Sequence, residues 1–211
     1  MICRVEVAFR AGIGDAHGEK TKKKIREHLG IDVDAVRTID VYTIEGDLSD
    51  KELEAVAAGP LSDPIIQHYS INCPLARDFS WLIEVGFRPG VTDNVGKTAR
   101  EAIAYLLGPD NSGRVAHVYT SRQYVISGAI GRVEAEQIAS GLLANGLIQH
   151  YDIIDAASWN PEVGVPPIIP RVDIDAGPVV EELDLNLSDD ELLDLSNRMI
   201  LTLTVEEMKA I

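Results

Sequence analysis

Cysteine is nearly absent from the 211 residues: there are two, Cys3 and Cys73, with Cys3 near the first strand and Cys73 directly before Pro74. Two thiols are too few for a disulfide framework or a cysteine-based metal site, so both are read as ordinary thiols. Aromatic residues make up only 5% of the chain, and no apolar run reaches the eighteen or so residues of a membrane span. The N-terminus, Met1-Ile2-Cys3-Arg4, lacks a charged segment leading into a long apolar stretch, so no signal peptide is expected and a cytoplasmic location follows by default. Positive charge is scarce as well: 19 Lys and Arg stand against 34 Asp and Glu, a net charge of −15. Residues 155–211 hold 13 of those acids against 3 bases, which puts −10 in the tail. Lys20, Lys22, Lys23, Lys24 and Arg26 form the one basic run, read as a solvated helix face, and nucleic acid and membrane are not expected partners.

What the chain does have is an echo. Ile66-Gln67-His68-Tyr69 returns as Ile148-Gln149-His150-Tyr151, and in each case an isoleucine follows two places later, Ile71 and Ile153. Laid over one another at a shift of 82, residues 42–71 and 124–153 share 13 of 30 positions; at a shift of 78, residues 5–30 and 83–108 share 10 of 26. Agreement in the same order over such lengths marks a duplication, with four extra residues between Gly108 and Gln123 in the second copy.

Each copy reads as β-α-β-β-α-β. In the first, Val5, Val7 and Phe9 alternate with polar neighbours as in a half-buried strand. Asp15 caps a helix that ends at Gly30, and residues 35–46 read as a short hairpin, Val36–Ile39 with Val41–Glu45. Ser49 with Glu52 makes a capping box for a second helix, and Ile65–Ile71 closes the unit as a strand. The second copy repeats this from Trp81, with Ala99, Ala102, Ile103, Leu106 and Leu107 forming the apolar stripe of its first helix. The expected fold is therefore α+β: two tandem ferredoxin-like units, residues 1–73 and 79–155, paired as a pseudo-dimer. A proline-rich connector over 156–187 follows, then an acidic helical segment over 188–211 with capping boxes at Ser188/Glu191 and Thr204/Glu207. The last helix is short enough to need packing, so either the chain continues into a longer polypeptide or this helix docks on something else.

Candidate chemistry is sparse. Gly90 to Thr98 follows a strand and opens a helix, but five residues separate Gly90 from Gly96, where a phosphate loop has four, so the loop is expected to cap and pack rather than to bind nucleotide. His68 and His150 occupy equivalent positions without neighbouring ligands at metal spacing, which favours a structural or interface role. Arg10 with Asp15, and Arg88 with Asp93, are either sites for an anion or partner, or ion pairs bracing a turn. Neither cysteine has the strand-to-helix setting of a glutaminase nucleophile.

Leu142-Leu143-Ala144-Asn145 leading into Ile148 and Tyr151, with the Asp-x-x-Gly turns Asp15/Gly18 and Asp93/Gly96, resembles PurS, the small subunit of phosphoribosylformylglycinamidine synthase. The family often has proline after that aspartate, where Ala16 and Asn94 stand here, and Ser62-Asp63 replaces Ala144-Asn145 in the first copy. The likeness spans about residues 3–155, while Leu183-Asp184-Leu185 and Thr204-Val205-Glu206-Glu207-Met208 look like the lead-in to the large synthetase subunit. The resemblance implies a non-catalytic module that bridges synthetase and glutaminase and helps ammonia pass between them. It implies ATP and magnesium in the assembled enzyme and no cofactor in this chain. Arg10, Asp15, Arg88, Asp93, Asn145, Gln149, His150 and Tyr151 are its candidate interface residues. A regulatory domain that binds a small molecule is the alternative function, and catalysis by the isolated chain the least supported.

Overall fold

Alternation along the first strand decides the layering. In β1 (Ile2–Phe9) the residues Cys3, Val5 and Val7 lie on one face and Arg4, Glu6 and Ala8 on the other. The computed structural model describes residues 1–167, 169–171 and 183–211. These fall into two compact units, Met1–Val172 and Asp173–Ile211. Among the described residues no helix is long and apolar enough to cross a membrane.

The first unit is an α+β fold on one antiparallel sheet of six strands. After β1 come α1 (Ala16–Lys24), extended by a π-helical turn over Ile25–Leu29, then β2 (Ala35–Gly46), α2 (Asp50–Ala58) and β3 (Gln67–Ile71). The same order recurs as β4 (Trp81–Phe87), α3 (Asn94–Leu107), β5 (Val115–Ser127), α4 (Arg132–Ile138) and β6 (Gln149–Asp155). Gly30 ends the first helix in the left-handed conformation, φ 67°, where glycine carries no steric penalty. The sheet order is β3-β1-β2-β5-β4-β6, so the echoed segments Gln67–Tyr69 and Gln149–Tyr151 begin the two edge strands.

The hairpins do not form, and each repeat is β-α-β-α-β. Residues 35–46 make a single strand, and residues 115–127 do the same. Val36, Thr38, Asp40, Tyr42 and Ile44 keep their period of two straight through, and nothing between Ile39 and Val41 supplies a turn residue with positive φ. Within its own repeat β2 pairs with β1 only over Ile39–Glu45, whereas against β5 it pairs from Ala35 onward. The four extra residues fall in a 3-10 turn, Pro109–Arg114, between α3 and β5.

The β2–β5 register has a simple property. Thr38 faces Tyr124, Tyr42 faces Thr120, and Asp40 faces Arg122. At the shift of 82, Thr38 is equivalent to Thr120, Tyr42 to Tyr124 and Asp40 to Arg122. The pairing therefore maps onto itself when the repeats are exchanged, and the Asp40–Arg122 pair sits at the midpoint.

Helices cover one face of the sheet, over two cores shared by both repeats. In one core Val5, Val7 and Ile44 pack with Leu53, Val56 and Ala57 of α2, and with Ala99 and Ile103 of α3 from the other repeat. In the other, Ile83 and Ile126 pack with Ala135, Ile138 and Ala139 around α4, and with Ile25 from the first repeat. Burying side chains of this size removes about 1.5–3 kcal/mol each from water, a gain neither repeat collects without its partner. The opposite face is covered by loops: Ile39, Val41, Leu82 and Val125 pack with Ala76 and Val165, beside Phe79 and Trp159.

The second unit is a pair of short helices, α5 (Asp189–Arg198) and α6 (Val205–Ala210), each opened by the expected capping box. Against expectation the last helix has packing of its own. Leu192, Leu195 and Met208 form a small core with Leu185, Leu203 and Val205, and the Ser196 hydroxyl donates to the Leu203 carbonyl at 2.8 Å.

Candidate functional site

Two aspartates do the same work in both repeats. One oxygen of Asp15 accepts from the Gly18 N–H at 2.8 Å, while the other accepts from the Thr38 N–H at 2.5 Å and the Thr38 hydroxyl at 2.9 Å. Asp93 accepts from the Gly96 N–H at 2.7 Å, from the Thr120 N–H at 2.6 Å and from the Thr120 hydroxyl. Each carboxylate thus caps a helix and ties it to the middle of the sheet. A Cβ at Gly18 or Gly96 would lie 2.2 Å from the Val36 or Val118 carbonyl, so only glycine lets the helices approach this closely.

This answers the phosphate-loop reading. The Gly96 amide is already committed to Asp93, and a carboxylate stands where a phosphate would need bare N–H groups. Among the described residues no three His, Cys, Asp or Glu side chains are grouped to hold a metal.

Arg10 and Arg88 do not pair with these aspartates. Arg10 donates to the Pro64 carbonyl at 3.2 Å, and Arg88 donates from Nε to the carbonyls of Gly146 and Gln149 at 3.0 and 2.9 Å. Both brace the turn before an edge strand. In that turn Asn145 accepts from the Leu147 N–H at 3.1 Å, and the Gln149 side chain accepts from the Asn145 N–H at 2.9 Å. Asp63 makes the matching turn in the first repeat, its carboxylate accepting from the Ile65 N–H and its own N–H donating to the Gln67 side chain. The Asp-for-Asn exchange therefore conserves the geometry. His150 packs over Gly86, leaving 3.1 Å to the place of a Cβ there. Tyr151 donates to Glu136 and Tyr69 to Glu54, which raises both phenol pKa values. Of the eight candidate residues Asp15 and Asp93 lie at the sheet centre and the others around the edge-strand turns, with Gln149 also lining a groove over the centre.

The centre itself was not singled out by sequence. Arg122 pairs with Asp40 at 2.7 Å, and its other nitrogen lies 3.3 Å from His17 Nε2, which is also 3.4 Å from the Tyr124 hydroxyl. Burial and the neighbouring Arg122 cation lower the His17 pKa, so the ring is neutral and Nε2 accepts. Burial raises Tyr42 and Tyr124. Asp40, Tyr42, Arg122 and Tyr124, with Gln149, line a groove of about 240 Å³ that offers donors and acceptors. Opposite charges at one repeat position, Asp40 and Arg122, were the available signal.

On the opposite face lies a buried charge cluster. Arg4 donates to both oxygens of Glu84, at 3.1 and 2.6 Å, and to Glu6 at 3.0 Å. Gln123 Nε2 donates to Glu84 at 2.9 Å, Ser121 donates to Glu84, and the Leu75 N–H donates to Glu6 at 2.7 Å. Burial works against the Arg4 charge, but Glu84 and Glu6 outweigh it and hold the guanidinium pKa above its ordinary value. Glu6 and Glu84 are repeat equivalents, whereas the partner position of Arg4 is Leu82, so a single arginine serves both acids.

Residues 2–74, the whole first repeat, match the family model of PurS, phosphoribosylformylglycinamidine (FGAM) synthase. Residues 2–74 are a PurS-like region. The PurS match ties this region to FGAM synthase and so to purine biosynthesis. No curated protein matches the chain.

Proposed function

We propose that the two repeats form a PurS-like pseudo-dimer within one chain, and that this chain is a non-catalytic assembly and ammonia-transfer module of FGAM synthase. The observation that carries the reading is the β2–β5 register, which is unchanged when the repeats are exchanged about Asp40 and Arg122. A twofold-related pair presents the same surface twice, which suits an element set between other subunits. The partners are a synthetase, where ATP and magnesium act, and a glutaminase. The acidic second unit is directed to the synthetase: Asp189, Asp190, Glu191 and Asp194 on α5 provide the charge, and exposed Leu193 and Ile200 the apolar contact.

The test is amidation in the assembled enzyme with two nitrogen sources. Arg122→Asp sets like charges at the middle of the paired strands. Glutamine-dependent amidation should then fall much further than ammonia-dependent amidation, since only the first needs ammonia carried from another active site. Equal losses with both sources would remove the bridging role. Deleting residues 179–211 should weaken binding to the synthetase and leave the sheet intact by circular dichroism.

A further inference from the structure

We propose that a cleft in the first repeat binds a free α-amino acid with an apolar side chain. The inference does not depend on the assignment to FGAM synthase. The cleft, about 390 Å³, lies between the loop joining β1 to α1, the start of β2 and the segment after β3. Ligand pockets run from ~300 to 1,000 Å³, so this one suits a ligand well below nucleotide size.

Its chemistry is divided by charge. Arg10 and Arg37 line it and donate to the carbonyls of Pro64 and Arg77 respectively; neither pairs with a carboxylate among the described residues. Their remaining N–H groups supply what a carboxylate needs. Glu19 also lines the cleft and has no cationic partner among the described residues, which supplies what an ammonium needs. Asp15, the other acid there, is already occupied by Gly18 and Thr38. Between the charges the wall is apolar, with Ile39, Leu75, Ala76 and Val125. A zwitterion with a hydrocarbon side chain satisfies all three regions at once, whereas a simple anion leaves Glu19 and the apolar wall without a function.

The second repeat carries the control. There the equivalent of Arg37 is Tyr119, the equivalent of Glu19 is Lys97, and Pro170 of the connector lines both of the cavities that take the place of the cleft. One of the two arginines is gone, the acid that would hold the ammonium is replaced by a cation, and Pro170 adds to the lining. One site per chain follows.

The full chain should be titrated calorimetrically with L-leucine, with 4-methylpentanoate (no ammonium), with 3-methylbutylamine (no carboxylate) and with inorganic phosphate. L-leucine should bind once, and each analogue at least about tenfold more weakly, the loss expected for one charged hydrogen-bonding group. Glu19→Gln should weaken L-leucine by a similar factor and Arg37→Gln should abolish binding, while Lys97→Gln changes nothing. Both side chains are exposed, and unliganded melting of each variant verifies its fold. L-leucine should also shift the amide resonances of Gly12 and Gly14 in the unmodified protein, a readout that needs no substitution. Absence of L-leucine binding, phosphate binding that vanishes with Arg37→Gln, or L-leucine binding indifferent to both Glu19→Gln and Arg37→Gln would each overturn the proposal.

Discussion

Arg4 holds two glutamates that the duplication brought to equivalent buried positions, and Leu82 shows what stands there when no such duty exists. Arg4→Leu should therefore cost about 3–5 kcal/mol in urea denaturation, because it leaves Glu6 and Glu84 buried without a counter-charge. A loss below about 1 kcal/mol would mean that water reaches both acids. Asp15→Ala should cost more than the ~0.5–2 kcal/mol of an ordinary cap, since the Thr38 N–H also loses its acceptor. Asp93→Ala should behave alike, and unchanged melting of both variants would dismiss the clamp. The caps were legible in the sequence because a cap is local: Asp15 and Asp93 lie three residues from the glycine amides they receive. Their hold on Thr38 and Thr120, and the bond from Arg4 to Glu84, were not, because those partners lie 23, 27 and 80 residues away.

Among the elements, α2 joins the repeats through its N-terminus. Glu52 closes the capping box with Ser49 and also receives Arg114, the residue just before β5, at 2.7 Å. The Arg114 hydrogen bond first, then those from Ser49, lower the Glu52 pKa from 4.5 to about 2. A carboxylate depressed in the folded state stabilises above its unfolded pKa, and that contribution fades as pH falls through the folded one. The melting difference between the natural protein and Glu52→Gln should thus be constant above about pH 5 and shrink from pH 4.5 toward 2. A difference independent of pH would show that the glutamate acts only by shape. Helices were read correctly from caps and stripes, whereas β2 and β5 were broken at their centres. Asp40 read as a turn because its counter-charge, Arg122, belongs to the other repeat. Polar residues inside a strand are uninformative until the neighbour across the ladder is known.

At the scale of the whole molecule, the repeats are two in sequence but build their cores jointly. Residues 1–78 alone should yield no stable monomer, since Ile25 would lose α4 and α2 would lose Ala99 and Ile103. Coexpressed with residues 79–172, the fragment should return as a one-to-one complex, detectable by size-exclusion chromatography; a folded monomer of either piece would refute the shared cores. The recurring order of elements was legible in the sequence, but which helix packs over which half was not, because an apolar stripe does not name its partner. Residues 183–211 hold together through Leu192, Leu195 and Met208, so their contribution can be measured by deletion. The midpoint pair adds a constraint. Were two identical copies to meet there, residue 40 would face its own copy, and any charge would meet the same charge. Asp40 facing Arg122 is a solution open only to two unlike halves, since either half paired with a copy of itself would set like charges face to face. Covalent union gives this seam a polarity that no self-associating strand can have.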